Sequence, residues 1–215
     1  KGTGSKDIKV VDTFVPEHRT VKALELGGNN PPGSELHESY IYRVEMGMYF
    51  NTLLSGPILG ATHGVLLEYL EQTRSRFGSM FGERVSEQAA VQQKIGASYE
   101  ELRTSDLIID DLCNYLHEQG QAGNSILGDD RLKIRRETAM AAQLCLKSGT
   151  RLSGMMGVTA QTGRNPAQRM FRDLRTMSTH GAIHWDNATT PTGSYLLGIE
   201  TGDPLIDENN EFLNT

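Results

Sequence analysis

The chain has 215 residues, 37% hydrophobic and 22% charged, which is enough apolar content for a packed core and too much for a wholly disordered chain. A net charge of −6 lacks the basic footprint of a general nucleic-acid binder. No run of 18 apolar residues offers a membrane span, and the opening residues do not read as a charged-then-apolar leader.

KGTGSKDIKVVDTFVPEHRT opens the chain like the last strand of a domain, so a fragment of a longer polypeptide is expected. Alternation of Ile8, Val10, Thr13 and Val15 predicts one strand over 7–15, bounded by Pro16. Residues 24–37, rich in Gly, Asn and Pro, predict a loop. A helix is expected over 38–54. A second runs to about Phe77, with Pro57 in its first turn, where a missing N–H costs nothing.

Ser86 begins a long helix to about residue 119, with a stripe of Ile95, Leu102, Ile109, Leu112 and Leu116. Gly120 and Gly123 stop it. Asp129 or Asp130 is expected to cap the next helix, which extends to about Thr162 on an inner face of Leu132, Ala139, Ala142, Leu146 and Met156. Gly163 and Pro166 break it, and AQRMFRDLRTMSTHGAIHWD (167–186) predicts one more helix. NATTPTG then reads as a turn before an apolar patch at 195–198, and DENNEFLNT as a loose acidic tail. The sum is mainly α: an up-and-down four-helix bundle with a remnant strand, divided as 1–35 strand and linker, 36–205 bundle, 206–215 tail.

The richest site candidate is the 167–186 helix. Met170, Leu174, Met177 and Gly181 form its apolar stripe, Arg169 or Arg172 can pair with Asp173, and His180 falls at the border of core and polar face. Such a histidine is as a rule a satisfied structural residue. The competing role is acid–base chemistry or hydrogen bonding to a reacting group, which a side chain titrating near neutrality suits. His184 stands one turn on, and Trp185 reads as packing. Arg74 and Arg76 read as a solvated basic helix end or, because arginine binds phosphate bidentately, as an anion contact. Glu100-Glu101 and Asp110-Asp111 read as solvated faces. Gly154-Met155-Met156-Gly157 lacks the context of a phosphate loop. Cys113 and Cys145 form no CxxC or Cys/His cluster and read as two buried thiols in a reducing cytosol, with no metal site.

Three blocks in order resemble the acyl-CoA dehydrogenase superfamily: GTGSKDIKVVDTFVPEHR its middle-domain exit strand, TRSRFG with SEQAAVQQKIG its Arg-x-x-Phe-Gly and Gln segment, and PAQRMFRDLRTMSTH its Pro-x-x-Arg-x-x-Arg-Asp helix. Dehydrogenases of that superfamily need a catalytic glutamate. The corresponding positions hold Gly181 and Tyr49, with Glu45 a turn from the latter. The Arg-Asp…Thr-His arrangement is more similar to two-component flavin-dependent monooxygenases of the same fold. That resemblance implies reduced flavin (FMN or FAD), O2 and a C4a-hydroperoxide that hydroxylates an aromatic or polycyclic small molecule. It implies His180 as the catalytic residue, hydrogen-bonding the hydroperoxide or assisting deprotonation of the substrate. It also implies Arg74 and Phe77 as cofactor-binding residues donated across a subunit interface, with Arg74 toward the cofactor phosphate, Gln88 as a cofactor contact at the adenine end if the flavin is FAD, a separate flavin reductase and a homotetramer. With the charge, the lack of apolar runs and the reduced cysteines above, the expectation is a cytoplasmic protein with no nucleic-acid or membrane partner. An acyl-CoA dehydrogenase and a non-catalytic helical oligomerisation fragment are the alternatives; a fragment alone is expected to bind flavin poorly.

Overall fold

A computed structural model describes residues 6–22, 25, 30–78 and 82–213, without the side chains of 159 and 160. Its α-helices are α1 (Met46–Leu53), α2 (Ser55–Ser75), α3 (Ala89–Ala122), α4 (Gly128–Met155), α5 (Pro166–Met177), α6 (Trp185–Leu196) and α7 (Pro204–Asp207). Short 3-10 turns join several of them. No helix among the described residues is long and apolar enough to cross a membrane.

Cross-element contacts fix the bundle's directions. Glu101 meets Arg151 at one end of the α3–α4 pair and Asp111 meets Lys133 toward the other, so these helices are antiparallel. Tyr69 near the end of α2 reaches Met155 at the end of α4, so α2 and α4 run the same way. Met170 of α5 lies over Gly64 of α2, and His180 just beyond α5 meets Phe50 just before α2, so that pair is antiparallel. Helices α2 to α5 therefore form the expected up-down-up-down bundle. Its core joins Ile58, Val65 and Tyr69 of α2 to Leu102 of α3, Cys145 and Leu152 of α4, and Leu174 of α5. Leu102, Ile109, Leu112 and Leu116 of the α3 stripe are buried as read, Ile95 is half-buried against the same core, and Leu132, Ala139 and Ala142 of α4 are closed from solvent.

Several boundaries differ from the sequence reading. Residues 7–15 form no strand: Ile8, Val10 and Phe14 are exposed, and an extended segment without a ladder partner gains none of the hydrogen bonds that define a strand. Neither Asp129 nor Asp130 caps α4. Leu127 is the cap residue, and both carboxylates sit in the first turn, where the helix dipole favours them. Helix α4 ends at Met155, not near Thr162, because Gly157 takes φ +81° and Arg76 donates to the carbonyls of Met155 (3.0 Å) and Met156 (3.1 Å). Pro166 opens α5 after the expected break, and Asn165, which the sequence reading did not single out as a cap, accepts from the Ala167 N–H through its side chain.

The 167–186 segment is two helices rather than one. The Ser178 and Thr179 hydroxyls bond back to the carbonyls of Leu174 and Thr176, competing with helix continuation, and Gly181 follows. The stretch read as a turn is helix α6 with Pro191 inside it. The tail is not loose through residue 212: Ile206 is fully buried with Leu132 and Tyr195, and Phe212 packs against Tyr195.

Candidate functional site

His180 lies between α5 and α6, not on a helix. Its backbone is extended (φ −64°, ψ 133°), and it caps the 3-10 turn Gly181–Ile183. The Ala182 N–H donates to His180 Nδ1 at 3.2 Å. A backbone N–H can only donate, so Nδ1 is unprotonated in this arrangement and the neutral ring carries its proton on Nε2. The Phe50 ring of α1 stands 6.2 Å away, centroid to centroid, tilted and 42% exposed. The loop is anchored from below by Ile183, fully buried in the main core, and by the His180 N–H bonded to Met177 O at 3.0 Å. The site thus offers a fixed hydrogen-bond donor beside an open apolar ring.

Arg74, Phe77 and Gln88 gather where α2 ends and α3 begins. Arg74 is 73% exposed and, among the described residues, pairs with exposed Glu71, a contact worth little in water. Phe77 pairs with Arg84 as an antiparallel bridge, and the Arg84 guanidinium stands 5.6 Å from its ring centre. Gln88 precedes α3, its carbonyl accepting from the N–H groups of Val91 and Gln92 while its half-buried side chain makes no cap bond.

These three and His180 occupy opposite ends of the bundle. His180 meets Phe50, before α2, and Arg74 is in the last turn of α2, which has 21 residues. At about 1.5 Å of rise per residue that is roughly 30 Å. Within one chain the predicted catalytic residue and the predicted cofactor residues do not share a site.

Other sequence expectations change. Glu45, which a one-turn shift would have made a catalytic base, is only 13% exposed and bound to Arg131 at 2.6 Å. Arg131 also donates to Ile126 O and lies 3.4 Å from Asp203. Tyr49 donates to Leu116 O, and burial together with Tyr40 pushes its phenol up to about 12. Glu101 is not a solvated charge. It is 14% exposed and takes Arg151 at 2.6 and 2.8 Å and Lys147 at 3.0 Å, and the Arg151 bonds above all hold its carboxyl below the usual carboxylate range. Cys145 is buried but Cys113 is exposed. Asp173 is exposed, with Arg172 at 3.9 Å. No group of three or more His, Cys, Asp or Glu suited to a metal ion occurs among the described residues.

Phe50, Arg135 and Asn187 escaped the sequence reading. Phe50 looks like any apolar helix residue until the bundle places it at His180. Asn187 did carry a signal: it stands four residues before Pro191, which cannot donate the helical bond to its carbonyl. Arg135 takes that carbonyl instead, at 3.3 Å.

A family model described as acyl-CoA dehydrogenase, C-terminal domain, matches residues 52–185, more than half the chain. Among curated relatives, the pigment production hydroxylase of Rhodococcus sp. is 28% identical over 206 residues, 95% of this chain and 52% of that protein. The FADH(2)-dependent resorcinol hydroxylase, oxygenase component, of Rhizobium sp. is 26% identical over 93% of this chain and 51% of its own length. The flavin-dependent monooxygenase oxygenase subunit HsaA of Rhodococcus jostii is 25% identical, over 96% and 54% respectively. The chain spans about half the length of the curated relatives it matches. Solved structures agree on the fold. The 3-HSA hydroxylase of Rhodococcus superposes with a TM-score of 0.79 at 24% identity over 92% of this chain and 51% of that one. XiaF from Streptomyces sp., in complex with FADH2 and glycerol, gives 0.80 at 19% identity over 91% and 49%.

Proposed function

Because this chain belongs to the acyl-CoA dehydrogenase C-terminal domain family, we propose that it forms the C-terminal bundle of a flavin-dependent monooxygenase that hydroxylates an aromatic or polycyclic substrate. The observation that carries this reading is His180, held by the Ala182 N–H with its proton on Nε2 beside the open Phe50 ring. The curated relatives named as flavin-dependent hydroxylases support it. Reduced FMN or FAD, supplied by a separate reductase, provides two electrons; one atom of O2 enters the ring and the other leaves as water.

The side chains present fit such a group. Arg74 offers an exposed guanidinium for a phosphate, Phe77 an exposed ring, and Gln88 a side chain without a cap bond. In this arrangement His180 acts as a hydrogen-bond donor from Nε2 to an oxygen at the reacting centre. Base chemistry at Nε2 requires the opposite tautomer, which sets a ring N–H against the Ala182 N–H. Phe50 supplies an apolar wall for an aromatic ring. The Glu45–Arg131 pair disfavours α,β-dehydrogenation, since the carboxylate is already engaged.

The ~30 Å between the two groups of residues favours sites built between copies, His180 from one and Arg74, Phe77 and Gln88 from another. A homotetramer made through these helices satisfies this. The test supplies reduced FMN or FAD and O2 with resorcinol or p-hydroxyphenylacetate as probe substrates and measures hydroxylated product. Arg74→Ala and His180→Ala chains, each inactive, regain activity when co-assembled, whereas a chain carrying both changes stays inactive in every mixture. Flavin that reoxidises at its protein-free rate without product overturns the reading. Bleaching of bound FAD by butyryl-CoA would establish the dehydrogenase instead.

A further inference from the structure

Two arginines one turn apart on α4 reach the two sides of the His180 region. Arg131 holds Glu45, the residue before α1, and α1 carries Phe50. Arg135, on the same face, donates from Nη2 to Asn187 O at 3.3 Å. That carbonyl is free because Pro191, four residues on, has no N–H to give it. The Asn187 side chain in turn donates from Nδ2 to Gly181 O at 3.1 Å. Gly181 directly follows His180, and the turn it begins supplies the Ala182 N–H that meets His180 Nδ1.

We propose that Asn187 and Arg135 are positioning residues that fix the tautomer and orientation of His180 through the Gly181 carbonyl. Neither side chain need touch the reacting atoms. Asn187 clamps the Gly181–Ala182 peptide, the one whose N–H meets His180 Nδ1, and Arg135 ties the Asn187 backbone to the rigid α4. With the clamp in place, the Ala182 N–H stays on Nδ1 and the donor proton stays on Nε2. Without it, the turn is free to rotate its peptides and the ring samples both tautomers. The catalytic meaning rests on the monooxygenase reading above, whereas the tautomer itself does not.

The test is nitrogen-15 NMR of the histidine rings in the full protein, with His180 assigned by its loss in His180→Ala. In the unaltered protein the neutral His180 ring shows a single Nε2–H tautomer. Asn187→Asp keeps the side-chain shape at an exposed position and removes the Nδ2 donor. Arg135→Met removes the other link, and Arg135→Lys keeps a cationic donor. The expected result is tautomer averaging at His180 in Asn187→Asp and Arg135→Met and recovery in Arg135→Lys. Hydroxylated product per reduced flavin should fall at least threefold in the first two, with hydrogen peroxide making up the difference. Unchanged His180 nitrogen shifts in both Asn187→Asp and Arg135→Met overturn the positioning role, whatever the activity. If the shifts respond but reduced flavin reoxidises with the unaltered protein at its protein-free rate and without product, the positioning role stands and the monooxygenase reading falls.

Discussion

Glu101→Gln tests whether the α3–α4 ion cluster holds the bundle's long pair together. The carboxylate accepts two bonds from Arg151 at 2.6 and 2.8 Å and one from Lys147 at 3.0 Å, and Arg151 also donates to Ser98 Oγ at 3.0 Å. Glu101 is 14% exposed and Arg151 23%, but Lys147 is 65% exposed, so its share is heavily screened. A hydrogen bond to a charged group contributes about 1.5–3 kcal/mol net, and the two Arg151 bonds are not independent. Glutamine keeps the shape and one acceptor but leaves Arg151 without its counter-charge, so the expected loss is about 2–3 kcal/mol. At this chain length that lowers Tm by roughly 5–10 °C. The sign with pH follows from the depressed carboxyl: its contribution is complete above the unfolded value of about 4.3 and disappears as pH falls through the lower folded value. Thermal or urea denaturation followed by circular dichroism from pH 7 to pH 3 should show the gap between the two proteins narrowing below about pH 4. A gap under about 0.5 kcal/mol at pH 7, or one of constant size across that range, refutes the reasoning.

The α4–α5 contact makes a paired prediction at glycines of one helix. A Cβ on Gly149 would stand 2.5 Å from Leu174 Cδ2 in the closed core, so Gly149→Ala should cost about 1–3 kcal/mol by urea denaturation. At Gly154 a Cβ meets nothing within 4 Å, and Gly154→Ala should stabilise by about 0.5–1 kcal/mol. A thiol-directed alkylating reagent should label exposed Cys113 in the native protein and leave buried Cys145 until it is unfolded, as read by peptide mass spectrometry. Burial and Asp110 push the Cys113 thiol up, so its labelling rate should keep rising past the pH at which a free cysteine's levels off.

Much of the architecture was legible because helical periodicity is a local property. The α3 stripe, the α4 inner face and the Pro166 start of α5 all stand where three- and four-residue spacing and proline chemistry put them. The charged pairs were not legible in the same way. Glu101 looks solvated beside Glu100, and its partners stand 46 and 50 positions away on a helix whose register only packing sets. Glu45 likewise meets Arg131 across 86 positions.

The sequence alone determined the helical class, the order of the bundle helices and the resemblance that led to His180, since each is written in neighbouring residues. Only the tertiary structure decided what His180 is: a residue in a break between helices, its ring oriented by a backbone N–H. It also decided that Arg74, Phe77 and Gln88 lie at the far end of the bundle. The reason is geometric. A helix carries residues 20 positions apart to opposite ends of a domain, and which ends then meet depends on direction and packing, which local periodicity does not encode.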